Sequence, residues 1–92
     1  MIVRILGEGQ YRLDDGAVER LNGFDNDCVA AVSDSDEARF RGAFDSLLSL
    51  VRSEGEQLGD DELEESDVIL PPADISLEEA SREFTGEGLI PD

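Results

Sequence analysis

The side chains that most often carry enzyme chemistry are scarce in this sequence. It contains no histidine and no lysine, which removes the commonest general base, the imidazole metal ligand and the amine that forms Schiff bases. Cys28 is the only cysteine, so an internal disulfide is impossible. Asp25 and Asp27 lie beside it and oppose formation of a reactive thiolate. We therefore expect a partly buried structural thiol at Cys28, a non-catalytic chain and no cofactor.

Carboxylates remain as candidates for acid–base chemistry or for binding a hard cation. Residues 25–27 and 34–37 come nearest to cation loops, but neither has the glycine and glutamate spacing of an EF-hand, and helix caps explain both better. Residues 56–67 contain seven acids, and the cluster at 60–65 could attract Ca²⁺ or Mg²⁺ weakly. Such a run is more often a solvated surface. We predict no metal site and a mobile acidic loop over about residues 56–67.

The charge balance limits the possible partners. Seven basic residues oppose 24 acidic ones, giving a net charge of −17, which argues against a nucleic-acid surface and against direct attachment to anionic lipid. Leu, Ile, Val and Phe make up about 28% of the chain, enough to favour a folded protein over a disordered one. All seven basic residues are arginine. A strongly acidic chain without lysine is typical of halophilic proteins. In multimolar salt the screening length falls to about 3 Å, which removes most of the repulsion between the carboxylates.

Four arginines raise the question of binding. In a chain this acidic, Arg39, Arg41, Arg52 and Arg82 could serve intramolecular pairs or the carboxylates of a partner, because a guanidinium binds carboxylates in a bidentate manner. The alternative is exposed ion pairs worth under about 1 kcal/mol each. We predict that Arg39, Arg41 and Arg52, on the charged side of one long helix, bind a partner.

That helix is predicted over residues 34–55. Its apolar residues recur at helical spacing and form one stripe, which we expect to be core: Phe40, Phe44, Leu47, Leu48 and Val51. Asp34 and Glu37 have the spacing of a capping box at its start. Gly55 can take the left-handed conformation that ends a helix.

The other elements are shorter. Residues 1–13 read as a β-hairpin turning at Gly7 and Gly9. Two short helices should follow, one capped by Asp14 and ended by Gly23, the other starting at about Asn26. Residues 68–70 form a possible short edge strand, since prolines follow them.

The C-terminal part completes the predicted fold. Ser76 and Glu79 form a second capping box, opening a helix that runs to about Phe84. Gly86 and Gly88 end it, and apolar residues 89–91 should dock onto the domain. The predicted class is α+β, mostly helical, with an N-terminal hairpin, a three-helix core around the long central helix, a possible third strand and a C-terminal helix. We expect a single domain over residues 1–92. Because no signal peptide or apolar run of about 18 residues occurs, we expect a cytoplasmic location.

Three stretches resemble the PspAA (PspA-associated) family: MIVRILGEGQYRL, DEARFRGAFDSLLSLVRSEGEQL and SDVILPPADISLEEASREFTGEGLIPD. The resemblance covers nearly the whole chain. It implies a largely three-helical domain that accompanies PspA/Vipp1-type coiled-coil proteins, which remodel membranes in the phage-shock, or envelope-stress, response. It also implies an accessory or regulatory partner, recruited to the membrane through that protein, and it carries over no functional residues.

Two other functions stay open at this stage. One is an unrelated acidic regulator that mimics nucleic acid and occupies a basic protein surface, with an affinity that falls steeply as salt rises. The other is a small carboxylate-based enzyme or a weak divalent-cation-binding domain.

Adaptation to high salt predicts that the compactness of the chain depends on the salt concentration. Lowering the salt restores repulsion among the carboxylates, so we expect the chain to expand or unfold between several molar and about 50 mM salt. Circular dichroism and small-angle scattering across a salt series measure this change. A chain that stays fully compact at about 50 mM salt would contradict the prediction.

Overall fold

The computed structural model describes residues 1–62 and 64–84, and it begins with the predicted hairpin. Strand β1 (Ile2–Ile5) pairs antiparallel with β2 (Gly9–Arg12). The turn between them contains Gly7 at φ 86° and Gly9 opens β2 at φ 134°, conformations that glycine adopts without steric cost. The prediction of a hairpin built on these two glycines is confirmed. The predictions made for Gly86, Gly88 and residues 89–91 lie outside the described residues.

Two further strands extend the hairpin into a mixed sheet. β3 (Glu56–Gln57) pairs antiparallel with β2, and β4 (Val68–Leu70) pairs parallel with β1, which gives the order β3-β2-β1-β4. The predicted short edge strand is therefore confirmed. One face of the sheet, here called the inner face, joins the hydrophobic core through Val3, Ile5 and Leu70. Side chains of a strand alternate between faces, so their neighbours point to the opposite, outer face.

The first helix corrects a prediction. α1 spans Asp15–Ser33 without a break, and the side chain of Asp14 caps it by accepting a hydrogen bond from the Ala17 N–H at 2.8 Å. The cap is as predicted, but the division into two short helices at Gly23 is wrong. Leu21 and Cys28 lie on both sides of Gly23 in one buried stripe. Burial of that stripe outweighs the cost of a glycine inside a helix, about 1 kcal/mol.

The second helix starts later than predicted. α2 spans Glu37–Glu54, and Asp36 caps it by accepting a hydrogen bond from the Arg39 N–H at 3.1 Å. Asp34 instead ends α1, since its own N–H donates to the Ala30 carbonyl at 3.0 Å. The capping box of Asp34 with Glu37 is therefore wrong. Only Ser35, at φ 54°, separates the two caps, so α1 and α2 form a tight helical hairpin.

Gly55 ends α2 for a reason the sequence did not reveal. Its backbone is extended, with φ −82° and ψ 148°, so the predicted left-handed conformation is wrong. A Cβ atom at this position would collide with the Val51 carbonyl oxygen and lie 2.9 Å from the Cβ of Tyr11. Glycine is required here because the end of α2 approaches β2 closely.

The five residues of the predicted α2 stripe are all buried, as expected. Within it, Phe40 and Phe44 stack with their ring centroids 5.5 Å apart. α3 (Leu77–Glu83) starts at the predicted cap Ser76, whose hydroxyl oxygen accepts a hydrogen bond from the Glu79 N–H at 3.1 Å. Phe84 follows α3 and sets its ring edge-on to both other rings, at 5.6 and 5.8 Å. These three rings form the aromatic cluster of the core.

Much of the predicted acidic loop is fastened to the outer face of the sheet. The segment called here the acidic strap comprises residues 58–62 and 64–67. Gln10, only 1% exposed, donates from Nε2 to the Glu64 carbonyl at 2.5 Å and to the Ser66 hydroxyl at 2.8 Å. Its Oε1 accepts from the Glu64 N–H at 3.2 Å. Leu58 is also buried. A buried amide needs these partners, since leaving it unsatisfied costs about 1–3 kcal/mol, so the strap is held in place.

The described residues thus form an α+β fold, as predicted: a mixed sheet covered on its inner face by three helices. Across residues 1–62 and 64–84, none of the helices combines the length and the apolar character that crossing a bilayer requires.

The aromatic cluster gives the first structural prediction. Phe44→Ala removes a fully buried ring that contacts two others, so we expect a loss of about 3–5 kcal/mol in the free energy of unfolding. Denaturant titration in high salt measures this loss. The control is Leu6→Ala, at a side chain 47% exposed, which should change stability by about 0.5 kcal/mol or less. Similar values for the two variants would disprove a core role for the stripe.

Candidate interaction site

The three arginines predicted to bind a partner lie on α2 but do not form one surface. Arg39 and Arg41 are separated by roughly 160° around the helix axis, on opposite flanks of the buried stripe. Arg52 shares the side of Arg41 but lies about 16 Å further along. Each of the three has a carboxylate partner in the chain.

Arg41 holds the segment between β4 and α3. Its guanidinium donates to the carbonyl of Ala73 at 2.6 Å and also to that of Ile75. The same group lies 5.6 Å from the centroid of the Phe40 ring and 3.9 Å from Asp45. These contacts satisfy two loop carbonyls and attach the loop to α2, so the geometry gives Arg41 a structural task.

Arg52 joins the end of α2 to the hairpin turn. It donates from Nε and from an Nη to the two carboxylate oxygens of Glu8, at 2.8 and 2.5 Å. These hydrogen bonds hold the pKa of Glu8 below its ordinary value of 4.5 and raise the pKa of Arg52. The side chains of Arg52 and Glu8 are 42% and 30% exposed. Water therefore screens the ion pair, and its contribution to stability stays small.

Arg39 is held more loosely. Its Nη1 lies 3.3 Å from a carboxylate oxygen of Asp34, in a pair whose side chains are 47% and 66% exposed. A long, exposed ion pair of this kind contributes little to stability. Among the three arginines, Arg39 is therefore the one that can bind a carboxylate of another protein most easily, because breaking its ion pair with Asp34 costs little free energy.

A shallow groove of about 500 Å³ lies along the junction of α1 and α2. α1 supplies Arg20 and the half-buried Phe24, and a smaller concavity around the same two residues adds Gly23 and Asp27. α2 supplies Asp45, Ser46, Ser49, Leu50, Ser53 and Glu54. We call this surface the helical groove.

The helical groove has an apolar floor and charged ends. Leu50 is buried and Phe24 half-buried, while Arg20 pairs with Glu54 across the two helices at 2.8 Å. Arg39 lies seven residues before Ser46, which places it on the same face of α2 about 10 Å beyond the groove. An elongated, amphipathic ligand therefore matches the shape and polarity of this surface better than a compact small molecule does.

Sequence reasoning missed the helical groove. One signal was present, since Ser46, Ser49 and Ser53 recur at spacings of three and four and so form a small polar stripe on the side of α2 opposite the apolar one. The part contributed by α1 could not be seen, because the expected break at Gly23 separated Arg20 from Phe24. The pairing of Arg20 with Glu54 joins residues 34 positions apart, which no local pattern indicates.

The remaining candidates for chemistry are unreactive or dispersed. Cys28 is buried, as predicted; burial raises the pKa of its thiol from 9.0 to about 12, and the charges of Asp25 and Asp27 add to that shift. Asp25 and Asp27 lie within α1 and not at a helix cap, so the cap prediction for residues 25–27 is wrong. In residues 1–62 and 64–84 no three metal-ligating side chains come close enough together to hold an ion.

These features define a small, acidic α+β fold whose candidate binding surface is shallow. The chain belongs to the PspAA family, since the family model described as PspA-Associated protein matches residues 1–92. No curated protein and no solved structure matches the chain significantly.

The Glu8–Arg52 pair makes stability depend on pH in one direction. Because the pKa of Glu8 is lowered on folding, the stabilisation is fully present above its ordinary pKa of 4.5 and is lost as pH falls through the lowered value. Glu8→Gln should therefore be less stable than the parent near neutral pH, by under about 1 kcal/mol, and equal to it in acid. Urea unfolding of both proteins across this pH range measures the difference. Glu78→Gln, in an exposed pair with Arg82, is the control, and a pH-independent difference for Glu8→Gln would refute the linkage.

Proposed function

We propose that this protein is a non-catalytic accessory module that binds a PspA-type coiled-coil protein and regulates it in the membrane-stress response. Membership of the PspA-associated family supports the choice of partner. The structural observation that carries the proposal is the helical groove, because a groove between two helices accommodates a third helix.

The lining of the groove suits a helix. Small side chains at Ser46, Ser49 and Ser53 leave room for a partner helix to approach to an axis separation of about 8–10 Å. Gly23 lies at the same surface, and a Cβ atom there would meet nothing within 4 Å. Phe24 and Leu50 offer apolar contact to the buried stripe of an amphipathic helix. The docked helix would thereby add a third member to the α1–α2 hairpin.

Charged residues at the groove would set the orientation of the partner. Arg39 can receive its carboxylates, and Asp45, which lies 3.9 Å from Arg41, can receive its basic side chains. Arg41 and Arg52 were predicted as binding residues as well, but their hydrogen bonds within the chain favour Arg39 as the binding residue. The partner should therefore carry charges of both signs beside an apolar stripe.

Recruitment to a membrane would occur through the partner. With a net charge of −17, the chain is repelled by anionic headgroups, so lipid contacts are left to the PspA-type protein. The domain would act at the inner face of the membrane only while it is bound to the PspA-type protein.

Filling the groove tests the proposal. Ser49 is exposed, so Ser49→Trp should leave the fold intact while obstructing a docked helix. We expect its affinity for the PspA-type protein of the same cell to fall at least about tenfold, equivalent to about 1.4 kcal/mol. Ser81→Trp, at an exposed serine of α3, is the matched control and should bind normally. Calorimetry in the salt that keeps the chain compact measures both.

A charge reversal separates the arginines. Arg39→Glu should weaken binding, whereas Arg82→Glu, the same change on α3 at a side chain 73% exposed, should not. If neither Ser49→Trp nor Arg39→Glu changes the affinity, the groove is not the binding site. If the wild-type chain does not bind the PspA-type protein at all, the proposed function itself is wrong.

A further inference from the structure

The described residues cover the outer face of the sheet only in part. The acidic strap covers the part that contains Ile2 and Gln10, which are 7% and 1% exposed. The other part contains Leu6 and Ile69, which are 47% and 56% exposed and are the large hydrophobic side chains left open to solvent in the described residues.

Both side chains adjoin an arginine, one across the strands and one along the chain. Arg4 of β1 lies opposite Ile69 of β4 in the parallel register. The Leu6 N–H donates to the Leu70 carbonyl at 3.0 Å, which extends this pairing by one residue. Alternation then places Leu6 on the same face as Arg4. We call the surface formed by Arg4, Leu6 and Ile69 the bare face.

Arg4 differs from the other arginines in its electrostatic surroundings. The other six each have a carboxylate within 4 Å, and no such pair involves Arg4 among residues 1–62 and 64–84. The two strands that build this part of the sheet, Ile2–Ile5 and Val68–Leu70, contain no acid, and the acidic strap adjoins Arg4 only through Gln10, the partner of Arg4 in β2. The bare face is therefore a cationic and apolar area on a strongly anionic protein.

The covered part of the same face shows what complements such an area. There Arg12 pairs with Glu64 of the acidic strap, which also contains the buried Leu58 and, between the two, one turn of 3-10 helix at Asp60–Glu62. Acidic and apolar side chains on one short segment thus match an arginine and the apolar surface beside it. Charge complementarity calls for the same kind of segment on Arg4, Leu6 and Ile69.

The backbone of β4, at one edge of the sheet, has little capacity to pair with a further strand. β4 has only three residues and is followed by Pro71 and Pro72, two devices that limit the addition of further strands. Recognition on the bare face must therefore come mainly from side chains.

We propose that the bare face binds an extended segment of a partner protein in which a carboxylate lies between two large apolar side chains. The carboxylate pairs with Arg4, and the apolar side chains cover Leu6 and Ile69. This surface lies on the side of the sheet away from the helices, whereas the helical groove lies on the helices. Both surfaces can be occupied at once, so the domain would connect two binding partners or two parts of one.

A pair of peptides tests this. The probe is acetyl-Leu-Thr-Glu-Thr-Ile-amide, in which leucine, glutamate and isoleucine share one face of an extended chain, and the comparison peptide has glutamine in place of glutamate. Each is titrated into the ¹⁵N-labelled 92-residue chain in the lowest salt that keeps it compact, because salt screens the ion pair. We expect the amide signals of Arg4, Leu6 and Ile69 to shift, with binding at least about fivefold weaker for the glutamine peptide.

Variants distinguish the bare face from non-specific attraction. Arg4→Gln should reduce binding of the glutamate peptide to the level of the glutamine peptide, and Ile69→Ser should weaken both peptides equally. Arg82→Gln, which removes a charge elsewhere, should leave both unchanged. Equal binding of the two peptides, shifts confined to other residues, or no binding would overturn the proposal. So would sedimentation showing a dimer of the wild-type chain that Ile69→Ser dissociates, because a second copy would then be the occupant.

Discussion

Burial of the apolar stripe of α2 is the constraint on which the rest of the structure depends. A single helix cannot hide two phenylalanine rings and three aliphatic side chains. The inner face of the sheet, α1 and α3 each cover part of the stripe. The ring of Phe84 closes the aromatic cluster from the far end of the chain. In a domain this small, one shared core of this kind supplies most of the available hydrophobic stabilisation.

The acids are arranged around this core in two ways. Some work locally: Asp14 and Asp36 accept hydrogen bonds from the first turns of α1 and α2, where the helix dipole favours negative charge. Others belong to the acidic strap, which is fastened by hydrogen bonds to Gln10 despite its charge. The net charge of −17 is therefore compatible with an ordered surface, because neutral polar contacts and a few arginines fix the acidic segments.

The use of α2 as the core determines where binding can take place. Its apolar stripe is fully occupied, so it offers no surface to a partner. Two of its arginines, Arg41 and Arg52, attach the neighbouring loop and hairpin turn. Within residues 1–62 and 64–84, the helical groove on one side of the fold and the bare face on the other are the surfaces proposed for binding.

The sequence alone determined the elements whose signals are local. Helical spacing identified the α2 stripe, two glycines identified the hairpin turn, and the spacing of Ser76 and Glu79 identified the start of α3. Each of these depends on residues within a few positions of one another, so periodicity and backbone preference suffice to predict it.

Tertiary structure decided everything that depends on residues far apart in the chain. Packing keeps α1 helical through Gly23. The tight turn between the helices makes Asp36, and not Asp34, the N-cap of α2. The close approach of the end of α2 to Tyr11 explains why residue 55 is a glycine. The pairs of Arg20 with Glu54 and of Arg52 with Glu8 join residues 34 and 44 positions apart. Both surfaces proposed for partners arise in the same way, because a groove or an uncovered face exists only once the core has brought its walls together.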